Sequence, residues 1–167
     1  MWTRKDRDKQ PLIKATAMAL DAFLSEAALN GIKDVSVTSA YRSYSYQKWL
    51  FNYYVENNLS KYPSREECEK YVMTFSCREG CSEHQTGLCC DMHNLPAADK
   101  SFGNTKAAKW LAENAHRFGF VLRFPADKEK ITGIEYEPWH FRFVGRKAAT
   151  HMYLNNLCLE EYVKELN

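Results

Sequence analysis

The sequence predicts an α+β fold: a small antiparallel sheet with helices packed around it. Three observations point there. Helical periodicities dominate the first part of the chain, the last third alternates in the manner of strands, and the composition is that of an ordinary globular domain. Hydrophobic residues make up 45% and charged residues 26% of 167 residues, which excludes disorder and supplies enough apolar surface for a core without staples. One domain spanning 1–167 is therefore expected.

The elements follow in order. Pro11 to Leu29 reads as a helix, with Leu12, Ala15, Ala19, Ala22, Phe23 and Leu29 near a 3.6-residue period and Asn30-Gly31 as its stop. Val35 to Ser39 alternates and is read as a strand. A second helix is expected from Ser43 to about Asn58, with Trp49, Leu50, Tyr53 and Tyr54 as its apolar stripe. Ser64 with Glu67 three residues on marks the start of a third helix, running to about Phe75. Ser76 to Gln85 is irregular and polar; Gly87 to Met92 is read as a strand, and Asn94 to Ser101, with Pro96, as a loop. Thr105 to Phe118 is a strongly amphipathic helix ended by Gly119. Phe120–Phe124 and Trp139–Val144 are the late strands, and a helical region follows Gly145.

Charge and termini exclude several functions. Twenty-three basic against 21 acidic residues leave a net charge of +2, too small for a protein that works by gripping nucleic acid. No apolar run reaches the ~18 residues of a membrane span, so no stable membrane insertion by this segment is expected. The first ten residues carry charges but no apolar core of a secretory signal. The six cysteines, at 68, 77, 81, 89, 90 and 158, include no CxxC pair and no regular spacing, so they do not fix the redox compartment.

Chemistry concentrates at a few positions. His93, His116 and His151 are read as structural. His84 lies in the irregular polar segment Ser82–Gly87, and Asp91 follows seven residues later among apolar neighbours. A buried carboxylate needs a strong partner: a metal cation, an arginine or backbone donors. In the strand 139–144, Trp139, Phe141 and Phe143 share one face and His140 and Arg142 the other. Pro138 interrupts pairing and permits a bend that brings Glu137 toward His140. Two histidines and a carboxylate with an open position make up a catalytic zinc site, beside which a glutamate can take a proton from water. Arg42, where a strand ends and a helix begins, is a candidate for steadying a developing oxyanion.

Three segments in order resemble one family. They are Ser39-Ala40-Tyr41-Arg42-Ser43-Tyr44 with Gln47, Ser82-Glu83-His84-Gln85-Thr86-Gly87-Leu88 with Asp91, and Glu137-Pro138-Trp139-His140-Phe141-Arg142-Phe143-Val144-Gly145. Together they look like the D-Ala-D-Ala carboxypeptidase family of zinc metallopeptidases (VanY-like), which includes vancomycin-resistance D,D-carboxypeptidases and bacterial L,D-carboxypeptidases. The resemblance implies a small antiparallel sheet that carries the site, in a D-Ala-D-Ala metallopeptidase or hedgehog-like fold. It implies one Zn²⁺ per chain on His84, Asp91 and His140, and Glu137 as general base and then acid. Arg42 would hold the oxyanion, and Ser82 and Gln47 would line the substrate groove. The implied activity is removal of the C-terminal D-Ala from peptidoglycan stem peptides by a monomer. Because that substrate lies outside the membrane, an exported or anchored enzyme is expected, with its signal or anchor outside this sequence.

Alternatives stay open at this level. They are an L,D-carboxypeptidase trimming tetrapeptides and a non-catalytic cell-wall peptide-binding module. Ser45-Tyr46-Gln47-Lys48 matches the Ser-x-x-Lys of serine peptidases, but the Ser-x-Asn and Lys-Thr-Gly elements that go with it are absent. Cys89 and Cys90 stand where the family has small apolar residues, and are read as core packing. Cys81 replaces a residue that is often Tyr, and a local Cys77–Cys81 disulfide is one reading of that pair; a metal-competing thiol is another.

Overall fold

The structure, a computed structural model, describes residues 10–167; the leader reading of the first residues lies outside them, apart from Gln10. Four antiparallel strands form one sheet in the order β1-β2-β4-β3. They are β1 (Ser36–Ser39), β2 (Cys89–His93), β3 (Phe120–Leu122) and β4 (His140–Phe143). The helices are α1 (Lys14–Leu29), α2 (Tyr44–Asn58), α3 (Arg65–Val72), α4 (Lys106–Asn114), the short α5 (Glu129–Thr132), α6 (Arg146–Leu154) and α7 (Leu159–Glu165).

The α+β expectation holds, and three of the helix starts have a local cause. Ser43, Ser64 and Thr105 each accept a hydrogen bond from the backbone N–H three residues on, capping α2, α3 and α4. After α4 a 3-10 turn, Ala115–Phe118, leads to Gly119 at φ 85°. A side chain there would meet Phe143 and the backbone of Gly145 and Arg146 at about 3 Å or less, so both the conformation and the space call for glycine.

Two helix faces differ from expectation. In α1 the buried residues are Thr16, Leu20, Phe23, Leu24 and Ala27, while Ala15 and Leu29 face solvent. In α2 the buried residues are Gln47, Phe51 and Val55. Trp49 and Tyr53 are more than half exposed and stack on each other, with ring centroids 5.5 Å apart. Aromatic residues occur on several sides of α2, so hydrophobic period alone did not select the inward face.

The sheet separates core from site by alternation. Cys90 and Met92 of β2 and Phe141 of β4 enter the main core with Phe23, Leu24 and Leu111 of α1 and α4. On the opposite face lie Cys89 and Asp91 of β2 and His140 and Arg142 of β4. In register, Cys89 opposes Arg142 and Asp91 opposes His140. The central strand pair thus holds two prospective donor residues side by side. A second cluster, Phe51, Val55, Cys68 and Val72, locks α2 to α3.

Candidate metal centre and catalytic cleft

The loop after β1 and the turn carrying His84 are tied to one another. Arg42 N–H donates to the His84 carbonyl at 3.1 Å, and His84 Nδ1 donates to the Ala40 carbonyl at 2.6 Å. A carbonyl only accepts, so the proton of a neutral His84 sits on Nδ1 and Nε2 is free as a donor atom. His84 Nε2 lies 3.4 Å from Asp91 Oδ2. His140 Nδ1 lies 3.0 Å from Asp91 Oδ1. Across the same gap, Glu137 Oε2 stands 3.7 Å from His140 Nδ1. The bend at Pro138 is a tight turn in which His140 N–H donates to the Glu137 carbonyl.

Charge at this centre is highly unbalanced locally. Burial would raise the Asp91 pKa, but the charge of His84, hydrogen bonds from both histidines and Arg42 hold it well below the carboxylate range. Burial would lower the His84 and His140 pKa values. Asp91 and, for His140, Cys89 and Glu83 outweigh that and raise both. Burial lifts Glu137 to about 7, with Asp91 adding to the rise and His140, His84 and Arg42 opposing it. The carboxylates draw positive charge onto the two rings, which is the condition in which a cation can take the protons' place.

The donor set fits a zinc ion. His84 Nε2, an Asp91 oxygen and His140 Nδ1 converge within hydrogen-bonding distances of Asp91. Each ring also has an outer partner for its second nitrogen. For His84 that is the Ala40 carbonyl. For His140 it is Glu83, whose Oε2 lies 3.5 Å from Nε2. Both of these buried atoms lack a hydrogen bond among the described residues. If His140 held a metal through Nδ1, its ring proton would sit on Nε2, facing Glu83 as acceptor. Carboxylate and carbonyl partners of this kind fix the tautomer of metal-binding histidines.

Glu83 belongs to a network that sequence reasoning missed. Arg123 donates to Glu83 at 2.7 Å and doubly to Glu160 of α7 at 3.0 and 2.6 Å. Arg142 adds a contact to Glu83 at 3.4 Å. Glu83 adjoins His84 in sequence, which was a signal; its partners lie 40 and more residues away, and no spacing encodes them. Arg123→Met leaves Glu83 buried without its main counter-charge, so we expect a loss of about 3 kcal/mol. Urea denaturation of the purified variant measures it.

Arg42 sits where the sequence suggests. Its Nη2 bonds Asp91 at 2.8 Å, Nε bonds Ser39 at 2.9 Å and Nη1 reaches Gln47 at 3.5 Å. Three of its five N–H bonds are engaged, leaving donors for another group. Gln47 is fully buried and its amide nitrogen donates to the Cys77 carbonyl at 2.7 Å. It braces Arg42 from behind. Ser82 is buried at the wall. All seven predicted residues, Arg42, Gln47, Ser82, His84, Asp91, Glu137 and His140, line one cleft of about 510 Å³.

The cysteines require one correction. Cys90 is core, as expected, but Cys89 is not merely packing: it faces the histidines. One nitrogen of each of His84 and His140 and the Cys89 sulfur all lie within 4.8 Å of one another. Burial would raise the Cys89 pKa, but the charge of His140 and hydrogen bonds with both histidines bring it to about 7. Cys77 and Cys81 are both free thiols, the second exposed. His93 bonds the Leu95 carbonyl at 3.0 Å, His116 stacks on Tyr153 and His151 pairs with Glu165, all away from the cleft.

Comparison with known proteins gives consistent matches. Residues 9–146 match the family profile described as VanY, D-alanyl-D-alanine carboxypeptidase. A D-alanyl-D-alanine carboxypeptidase of Enterococcus faecalis is 38% identical over 146 residues, covering 86% of this chain and 52% of that protein. The chain spans about half the length of the first curated relatives it matches. Among solved structures, a mutant of the vancomycin-resistance D,D-pentapeptidase VanY in complex with Zn(II) superposes with a TM-score of 0.84. It is 34% identical and covers 96% of this chain and 87% of its own. The LdcB LD-carboxypeptidase superposes with a TM-score of 0.83 at 35% identity, covering 97% of this chain and 73% of its own.

Proposed function

The chain belongs to the VanY family of D-alanyl-D-alanine carboxypeptidases, and on that premise we propose that it is a zinc-dependent D,D-carboxypeptidase. Its substrate is a peptidoglycan stem peptide, from which it removes the C-terminal D-Ala. The observation that carries this reading is the convergence of His84 Nε2, Asp91 and His140 Nδ1, with Glu137 Oε2 3.7 Å from the last. Solved relatives support the same reading: one VanY structure is a Zn(II) complex and another holds D-alanine-D-alanine.

His84, Asp91 and His140 would hold one zinc ion. A zinc ion there supplies a Lewis acid that polarises the scissile carbonyl and makes water acidic near neutral pH. Glu137, with its pKa lifted to about 7, takes the proton from the attacking water and returns it to the departing amine. Arg42, fixed by Ser39, Asp91 and Gln47, donates its remaining N–H bonds to the oxygen on which negative charge develops. Ser82 lines the wall where the peptide's C-terminal carboxylate would lie, and Gln47 keeps Arg42 in place.

A single chain carries every one of these residues, so a monomer suffices for the proposed activity. No helix among the described residues is long and apolar enough to cross a membrane; the wall substrate supports action outside the membrane, by a protein exported or anchored through another segment. Mass spectrometry of products from defined penta- and tetrapeptides, with zinc and with a chelator, tests the proposal. Loss of one D-Ala from the pentapeptide, abolished by chelator, is expected. Cleavage of the tetrapeptide alone would make the enzyme an L,D-carboxypeptidase. Peptide binding without chelator-sensitive hydrolysis would make it a binding module.

A further inference from the structure

We propose that the exposed file of aromatic rings on α2, Tyr46, Trp49 and Tyr53, binds the sugar chain to which the stem peptide is attached. The inference rests on the stem-peptide reading above and extends it from the peptide to the glycan that carries it.

The three rings lie outside the core. α2 packs inward through Gln47, Phe51 and Val55, and none of the three belongs to a core cluster among the described residues. Tyr46 is 49%, Trp49 56% and Tyr53 51% exposed. Spaced three and four residues apart, they share one side of the helix. Ring centroids are 5.5 Å apart at each step. Large rings half in water, ordered against one another, mark a surface that takes a partner.

Continuity with the cleft says which partner. Tyr53 meets Tyr54 at 5.8 Å and Tyr54 meets Phe75 at 5.3 Å. Tyr54 and Phe75 line the cleft that holds Arg42 and Glu137. The file thus runs unbroken from the outer side of α2 to the place where the peptide would be cut. In an intact substrate the far end of the stem peptide carries a sugar. The shape agrees as well. From Tyr46 to Tyr53 the helix rises by roughly 10 Å, the length of two linked pyranose rings. A pyranose has apolar C–H faces and hydroxyls around its edge. The file matches that pattern: it is one ring wide, includes two tyrosine hydroxyls, and is flanked on α2 by exposed Lys48, Glu56 and Asn57. A membrane surface or a second copy of the chain would call for a broader apolar patch.

The test compares D-Ala release by the zinc-loaded full chain from two substrates. One is the free pentapeptide and the other is the same pentapeptide on an N-acetylglucosamine–N-acetylmuramic acid disaccharide. Wild type should show a KM roughly tenfold lower for the disaccharide-linked peptide, the scale of covering one large apolar side chain. Trp49→Ala and Tyr53→Ala should lose that advantage and keep kcat and the free-peptide KM, since neither residue lines the cleft. Both positions are half exposed, and melting curves establish that each variant is folded. Equal KM values in wild type, or an advantage retained in both variants, overturn the glycan proposal and leave the carboxypeptidase reading standing. A dimer in sedimentation that Trp49→Ala dissociates assigns the face to a second copy and overturns it too. So does binding to phosphatidylglycerol–phosphatidylethanolamine vesicles that Trp49→Ala abolishes. Cleavage of neither substrate overturns the carboxypeptidase reading, and titration calorimetry with a peptide-free oligosaccharide of the same disaccharide then decides the glycan site alone. Binding weakened in Trp49→Ala supports it, and no binding by wild type overturns it.

Discussion

Glu137→Gln should bind zinc at the wild-type stoichiometry and hydrolyse D-Ala-terminated peptide some 10²–10⁴-fold more slowly, the usual contribution of a positioned general base. The side chain keeps its size, so the packing around Pro138 and Trp139 is undisturbed. What disappears is the ability to accept a proton. Glu137 is not one of the three converging donors; its nearest approach to one is 3.7 Å from His140 Nδ1. Its charge is also a cost in the folded protein. Burial and Asp91 both raise its pKa, to about 7, so a neutral amide relieves repulsion. Unchanged or slightly raised stability is therefore expected alongside the lost turnover. The loss should fall on kcat more than on KM, because the proton transfer belongs to the transition state. Steady-state kinetics and elemental analysis of one preparation read both quantities. Full activity in the variant would remove Glu137 from the role given to it.

The different fates of these residues at the level of sequence have a common physical explanation. The helix starts were legible because caps are local: Ser43, Ser64 and Thr105 each bind a backbone N–H three residues on. The site face of β4 was legible because alternation is local too, and it separates His140 from Phe141. Long-range pairing was not legible. The inward face of α2 includes Gln47, whose amide is needed between Arg42 and the Cys77 carbonyl, and a polar residue on a buried face defeats a reading by hydrophobicity. Glu83 could be suspected only as a neighbour of His84. Its working partners, Arg123 and through it Glu160, come from β3's end and from α7. Cys89 illustrates the same limit in reverse. Its small size and apolar neighbours suggested packing, and only the register that sets Cys89 and Asp91 opposite Arg142 and His140 reveals what it faces.

His84→Ala should lose the metal, and with it the stabilisation the metal gives. A ligand that binds only the folded state stabilises it by about 4 kcal/mol when free at a thousand times its Kd. For a chain of this size that corresponds to a rise in Tm of roughly 8–16 °C. Wild type should show such a rise on adding zinc and lose it with chelator, whereas His84→Ala should melt at the same temperature in both. The comparison has to be made within each protein. Removing the imidazole also leaves the Ala40 carbonyl without its 2.6 Å partner and opens a small void, so the variant starts less stable whatever the metal does. Asp91 is a poorer choice for this test. Its carboxylate holds Arg42 at 2.8 Å and lies within 3.4 Å of both rings, so its loss strands three positively polarised groups in a buried site and confounds metal loss with unfolding. His84 carries fewer duties: Nδ1 bonds the Ala40 carbonyl and Nε2 faces Asp91, where the metal is proposed to bind. A zinc-dependent shift retained at full size in His84→Ala would therefore place the metal elsewhere, while its disappearance ties the stabilisation to this nitrogen.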